Sequence, residues 1–169
     1  YVDGNPLSYS DPSGLARVLG APEGFTERMA WGKKYGVLFP LLDEMQAKIN
    51  KLCKGDKGRI QKIFDGWTIT VDPNIANPAR RARQTYATTK YGNQSTQFNY
   101  GFFNSASDGP GVNAIFAHEF RHLMPENNKI DAAADLGAAL SGKPTDSRYE
   151  QDADAWAAKW VKENCTCGF

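Results

Sequence analysis

Two histidines four residues apart, His118 and His122, flank a glutamate at position 119, and the chain has no other histidine. Residues four apart on an α-helix lie on one face, one turn from each other. Two imidazoles at that spacing can reach a single tetrahedral metal ion. Zinc lowers the pKa of a water bound to it, and a carboxylate beside the first histidine can take the proton as that water attacks a carbonyl. His118-Glu119-Phe120-Arg121-His122 has the form H-E-x-x-H, which points to zinc-dependent hydrolysis of a peptide bond with Glu119 as general base. Arg121 is expected to face away from the metal.

The third ligand must be acidic or a cysteine, because no histidine remains. Glu150 and Asp154 are four apart and share a helix face. Glu150 is the expected ligand. Asp154, one turn on, is expected to take a hydrogen bond from a ligand histidine and fix its tautomer. Ser147-x-x-Glu150 also fits a capping box, which leaves a purely local role open for Glu150. Asp152 is expected to be solvated. Asp131 and Asp135 form a second acidic pair at helical spacing and an alternative source of the ligand. Cys165 and Cys167 form a lone C-x-C without the four ligands of a structural zinc site. All three cysteines are read as free thiols, although the sequence permits one disulfide between Cys53 and either of the other two.

Several elements must position these groups. Leu41, Leu42, Met45, Ile49 and Leu52 predict an amphipathic helix over residues 39–53, with Pro40 in its first turn. A short helix follows over 57–64. Trp67-Thr-Ile-Thr-Val71 reads as a strand, as do residues 85–89 and 96–103, with Tyr91-Gly92-Asn93 as a hairpin turn. After the break at Asp108-Gly-Pro-Gly111, a helix over 112–124 carries both histidines and stops at Pro125. Further helices are predicted over 130–140 and 146–163. Phe98, Tyr100, Phe102 and Phe103 are expected to serve the core.

The chain of 169 residues, with 41% hydrophobic residues and a net charge of +1, is of globular type. Bulk charge gives no reason to expect a nucleic-acid partner. No apolar run reaches the ~20 residues of a membrane span, and no secretory signal is visible. The first residue is Tyr1, which suggests a piece of a longer polypeptide. Composition shifts near Leu15, from a turn-rich stretch to charged, helix-like text, so a boundary is placed there.

His118-Glu119-x-x-His122 with Glu150-x-x-Ala153-Asp154 is similar to the gluzincin group of zinc peptidases, whose motif is H-E-x-x-H followed by E-x-x-x-D. The resemblance spans little more than residues 112–160. It implies zinc as cofactor, His118, His122 and Glu150 as ligands, Glu119 as base and Asp154 as the partner of His118. The oxyanion-stabilising role that a histidine or tyrosine often fills in that group has no histidine left for it here, and Tyr149 is the candidate. Pro125 and Asn128 stand where a metzincin has its glycine and third histidine, which argues against that group.

Pro6-Leu-Ser-Tyr-Ser-Asp11-Pro-Ser-Gly-Leu15 resembles P-x-x-x-x-D-P-x-G-L, the motif that closes the core of Rhs-repeat proteins. That resemblance implies that residues 1–15 end an Rhs core shell and residues 16–169 are a toxin payload. It also implies delivery into a rival cell, often by type VI secretion, action in that cell's cytoplasm, and a cognate immunity protein.

The expected fold is α+β and zincin-like, with a small twisted sheet packed on the H-E-x-x-H helix. An edge strand beside the cleft, expected at residues 99–104, would bind a protein or peptide substrate in extended form. Two rival functions remain. One is a nuclease payload, for which Arg80, Arg81 and Arg83 form the densest basic cluster. The other is a zinc-stabilised binding module without turnover, which would need no glutamate at position 119.

Overall fold

The apolar spacing after Val37 does form a helix. Helix α1 (Leu38–Lys51) buries Leu38, Leu41, Leu42, Met45 and Ile49 along one stripe. Helix α2 (Lys54–Gly66) follows at once and buries Ile60, Ile63 and Phe64. The structure, a computed structural model, describes residues 9–10, 17–19, 36–71, 87–98, 102, 111–141 and 147–162. Cys53, at the junction of the two helices, is disulfide-bonded, which corrects the free-thiol reading at that position. Its partner lies outside the described residues.

The class is α+β, mostly helical with a small mixed sheet. Its strands are β1 (Tyr9–Ser10), β2 (Arg17–Leu19), β3 (Thr68–Val71), β4 (Ala87–Lys90) and β5 (Ser95–Phe98), in the order β1-β2-β3-β5-β4. Strand β3 runs parallel to both β2 and β5, whereas β5 runs antiparallel to β4. The four-residue strands β3, β5 and β4 make up most of it. Strand β1 lies within the turn-rich N-terminal stretch and pairs with β2.

The hairpin turn forms where Tyr91-Gly92-Asn93 predicted it, as a 3₁₀ turn closed by Gln94 in the left-handed region at φ 47°. The Gln94 carbonyl accepts the Thr68 N–H at 2.9 Å, which ties the turn to β3. The Gln94 side chain lies over Gly66, in the space a Cβ would take. Strand β5 pairs through Ser95–Phe98 with β3 on one flank and β4 on the other. Of the expected edge strand at 99–104, only residue 102 is described. Among the described strands the edge on this side of the sheet is β4, because β5 has β3 on one flank and β4 on the other.

Helices α3 (Gly111–Arg121), α4 (Pro125–Ser141) and α5 (Arg148–Lys162) complete the described chain. The expected helix end at Met124 moves back to Arg121. The Leu123 and Met124 N–H groups bond three residues back, to the Phe120 and Arg121 carbonyls, which tightens the turn. Pro125 then opens α4, where its missing N–H costs nothing.

Trp67 is the centre of the core. Its ring meets Phe116 at 4.8 Å and Phe120 at 5.2 Å between centroids, and Phe98 and Phe64 stand farther out. Phe98 and Phe102 are both fully buried, as core residues, 4.4 Å apart. Tyr100 and Phe103 lie outside the described residues. Because Phe116 and Phe120 come from α3, this aromatic cluster presses that helix onto the sheet. Among the described residues no helix is long and apolar enough to cross a membrane.

Candidate metal centre

With Val112, Phe116 and Phe120 buried, helix α3 turns its other side to α5 and to a cleft. His118 lies in its last turn. His122 lies just past its end, held by a bond from its N–H to the His118 carbonyl at 3.4 Å. The two rings stand nearly perpendicular, 4.7 Å apart. Helix α5 brings Glu150 from its first turn to meet them.

Three atoms converge. His118 Nε2 lies 3.0 Å from His122 Nε2 and 3.1 Å from Glu150 Oε2, and His122 Nε2 lies 3.7 Å from that same oxygen. A tetrahedral zinc site with metal–ligand bonds of ~2.1 Å has edges of about 3.4 Å between ligand atoms. The observed separations bracket that figure. His118, His122 and Glu150 are also the described residues whose ligand atoms form a group able to hold an ion. The Glu150 carboxylate faces the histidines, so it does not close a capping box with Ser147. Instead the Ser147 hydroxyl accepts from the Gln151 side chain at 3.3 Å.

The far sides of both rings explain why the near sides carry lone pairs. His118 Nδ1 lies 2.8 Å from Asp154 Oδ1, and His122 Nδ1 lies 2.7 Å from Asn127 Oδ1. Asn127 is buried, and its amide nitrogen donates to the Tyr149 carbonyl at 2.7 Å and to Asp152 Oδ2 at 3.0 Å. Its oxygen therefore faces His122, whose Nδ1 must be the donor. Each Nδ1 keeps its proton and each Nε2 is left as an acceptor. With both rings neutral, two acceptors and a carboxylate oxygen are aimed at one point where a cation could sit, so the donor set fits a metal.

The charges respond accordingly. Burial opposes a proton on either imidazole, but Glu150 and the neighbouring carboxylate Glu119 prevail, and both histidines titrate above the usual range. His118 and His122 together hold the Glu150 carboxyl far below the usual carboxylate range. Glu119 is buried, 8% exposed, and burial pushes its carboxyl up. The Thr89 hydroxyl and the two histidines pull it back down.

Glu119 lines two clefts that share His118 and Glu150. One, of about 480 Å³, is bounded by β4, Tyr91, Asn127, Asn128, Asp131 and Tyr149. The other, of about 440 Å³, runs between α3 and α5 over Ala114, Ile115, Ala157 and Ala158. Asp131 thus borders the site without joining the converging atoms, and the Asp135 side chain lies outside the described residues. The Tyr149 ring stands 5.8 Å from the His122 ring.

One expectation needs correction. Asp152 is paired and partly buried rather than simply solvated: Arg121 donates to it through Nε at 2.8 Å and Nη2 at 3.2 Å, and its carboxyl is held below the usual range. Arg121 points away from the ligand atoms as expected, yet it is buried, because α5 packs over that side of α3. Asn127 and Thr89 were not legible as site residues. An asparagine and an edge-strand threonine carry no spacing signal, and their partners lie 5 and 30 residues away. No family model, curated protein or solved structure matches this chain.

Proposed function

We propose that this chain is a zinc-dependent endopeptidase of zincin-like fold. The observation that carries the reading is the convergence of His118 Nε2, His122 Nε2 and Glu150 Oε2, with the buried Glu119 carboxylate on the same cleft. His118, His122 and Glu150 would hold the ion. Zinc bound there would supply a Lewis acid that polarises a carbonyl and makes water acidic enough to react near neutral pH. Glu119 takes a proton from the attacking water and later delivers it to the leaving amine, a role helped by burial, which raises its proton affinity. Asp154 and Asn127 fix the tautomers of the two histidines. Edge strand β4 borders the larger cleft and is suited to align an extended peptide by strand pairing.

The proposal extends to biology through the Pro6–Leu15 motif. Residues 16–169 act as the toxin payload of an Rhs-type effector, released into a rival cell and restrained at home by an immunity protein. The test is to make residues 16–169 in a bacterial cytoplasm, with and without Glu119→Gln, and to map new protein termini. Toxicity and new termini that both depend on Glu119 are expected. Toxicity that survives the substitution would refute the peptidase reading.

A further inference from the structure

Glu119 stands at the end of a hydrogen-bond chain that begins in the core. Trp67 Nε1–H donates to Thr96 Oγ1 at 2.9 Å, Thr96 Oγ1 lies 2.8 Å from Thr89 Oγ1, and the Thr89 hydroxyl donates to Glu119 Oε2 at 2.6 Å. The direction is forced. An indole nitrogen only donates, and a hydroxyl has one proton. The Thr89 proton is committed to the carboxylate, so the proton between the two threonines comes from Thr96. Every link then points from Trp67 towards Glu119, and hydrogen bonds aligned in this way reinforce one another.

The scaffold around the chain is rigid. Trp67 and Thr96 are fully buried. Thr89 and Thr96 are direct cross-strand partners on β4 and β5, so both side chains leave the sheet on the face towards α3. Both are β-branched and stiff at χ1. Glu119 is the opposite case, a long side chain with several rotamers that must present one oxygen to the cleft.

We propose that Thr89, braced by Thr96 and Trp67, is a positioning residue for Glu119. It holds Oε2 and leaves Oε1 as the oxygen that exchanges the proton. This inference rests on Glu119 being the general base. It accounts for a hydroxyl at this place on an edge strand, where packing alone would accept valine.

The test uses the full chain loaded with zinc and carrying Thr89→Val, which keeps the shape and removes the hydroxyl, beside Thr89→Ser, which restores the hydroxyl. Zinc content, crystal structures, and kcat and KM on casein are measured for each. Thr89→Val should keep full zinc, lose between about ten- and a hundredfold in kcat with KM within about twofold, and release the Glu119 carboxylate from its place. Thr89→Ser should recover most of the rate and the placement. Glu119 unmoved in Thr89→Val, or Thr89→Ser behaving like Thr89→Val, would overturn the proposal. If Thr89→Val fails to fold, Thr89→Ala gives the same comparison. If the parent holds zinc but cleaves nothing, the peptidase reading fails, and the position of Glu119 in the variants still decides whether Thr89 positions it.

Discussion

Asn127 Oδ1 lies 2.7 Å from His122 Nδ1 and accepts its proton from a fully enclosed position. This one contact sets the tautomer of His122, as Asp154 does for His118. Asn127→Ala should lower zinc affinity by roughly ten- to a hundredfold. It should also destabilise the fold by about 1–3 kcal/mol, because the Tyr149 carbonyl loses a buried donor. Chelator competition and thermal melting check both effects. Zinc affinity within twofold of the parent would show that His122 needs no such partner.

The ligand set predicts a sharp division among acidic residues. His118→Ala, His122→Ala and Glu150→Ala should each abolish stoichiometric zinc and lower the melting temperature measured with zinc present, since metal binding and folding are coupled. Asp131→Ala, on the wall of the same cleft, should keep one zinc per chain. Metal analysis of the four variants decides the matter, and an empty site in Asp131→Ala beside a full one in Glu150→Ala would reverse the assignment.

Glu119→Gln separates binding from chemistry. Glutamine keeps the length and can still accept from Thr89, but it cannot take a proton at neutral pH. Zinc content and melting temperature should stay close to those of the parent while turnover falls by roughly 10²–10⁴-fold. Cleavage at the parental rate would remove Glu119 from the mechanism.

The metal-free protein should show a characteristic dependence on pH. His118 and His122 have folded pKa values raised above the unfolded value of about 6.5. Their contribution to stability is therefore complete below that pH and lost as pH rises through the folded values. Glu150 is shifted the other way, so its contribution is present above about 4.3 and lost on acidification. Melting in EDTA should accordingly decline on the alkaline side of neutrality, whereas the gain from added zinc should grow, because zinc displaces those protons. An EDTA melting curve that is flat from about pH 6 to 9 would contradict the coupling.

What the sequence by itself determined is what repeats within one turn or one pleat. The His118–His122 and Glu150–Asp154 spacings, the stripe from Leu41 to Ile49 and the turn at Tyr91-Gly92-Asn93 are all local, and local geometry follows from periodicity and turn chemistry. What only the tertiary structure decided is which distant groups meet. Glu150 rather than Asp131 reaches the histidines because α5 packs along α3, a fact that no spacing encodes. The same packing buries Arg121 on Asp152, a carboxylate that reads as solvated in one dimension. Asn127 reaches His122 only because the chain turns sharply between Arg121 and Pro125 and so places α4 behind the ring. Thr89 reaches Glu119 only because β4 becomes the edge of the sheet against which α3 is pressed by Trp67, Phe116 and Phe120. A side chain's type limits what it can bond, but its partner is chosen by the burial of apolar surface on other elements.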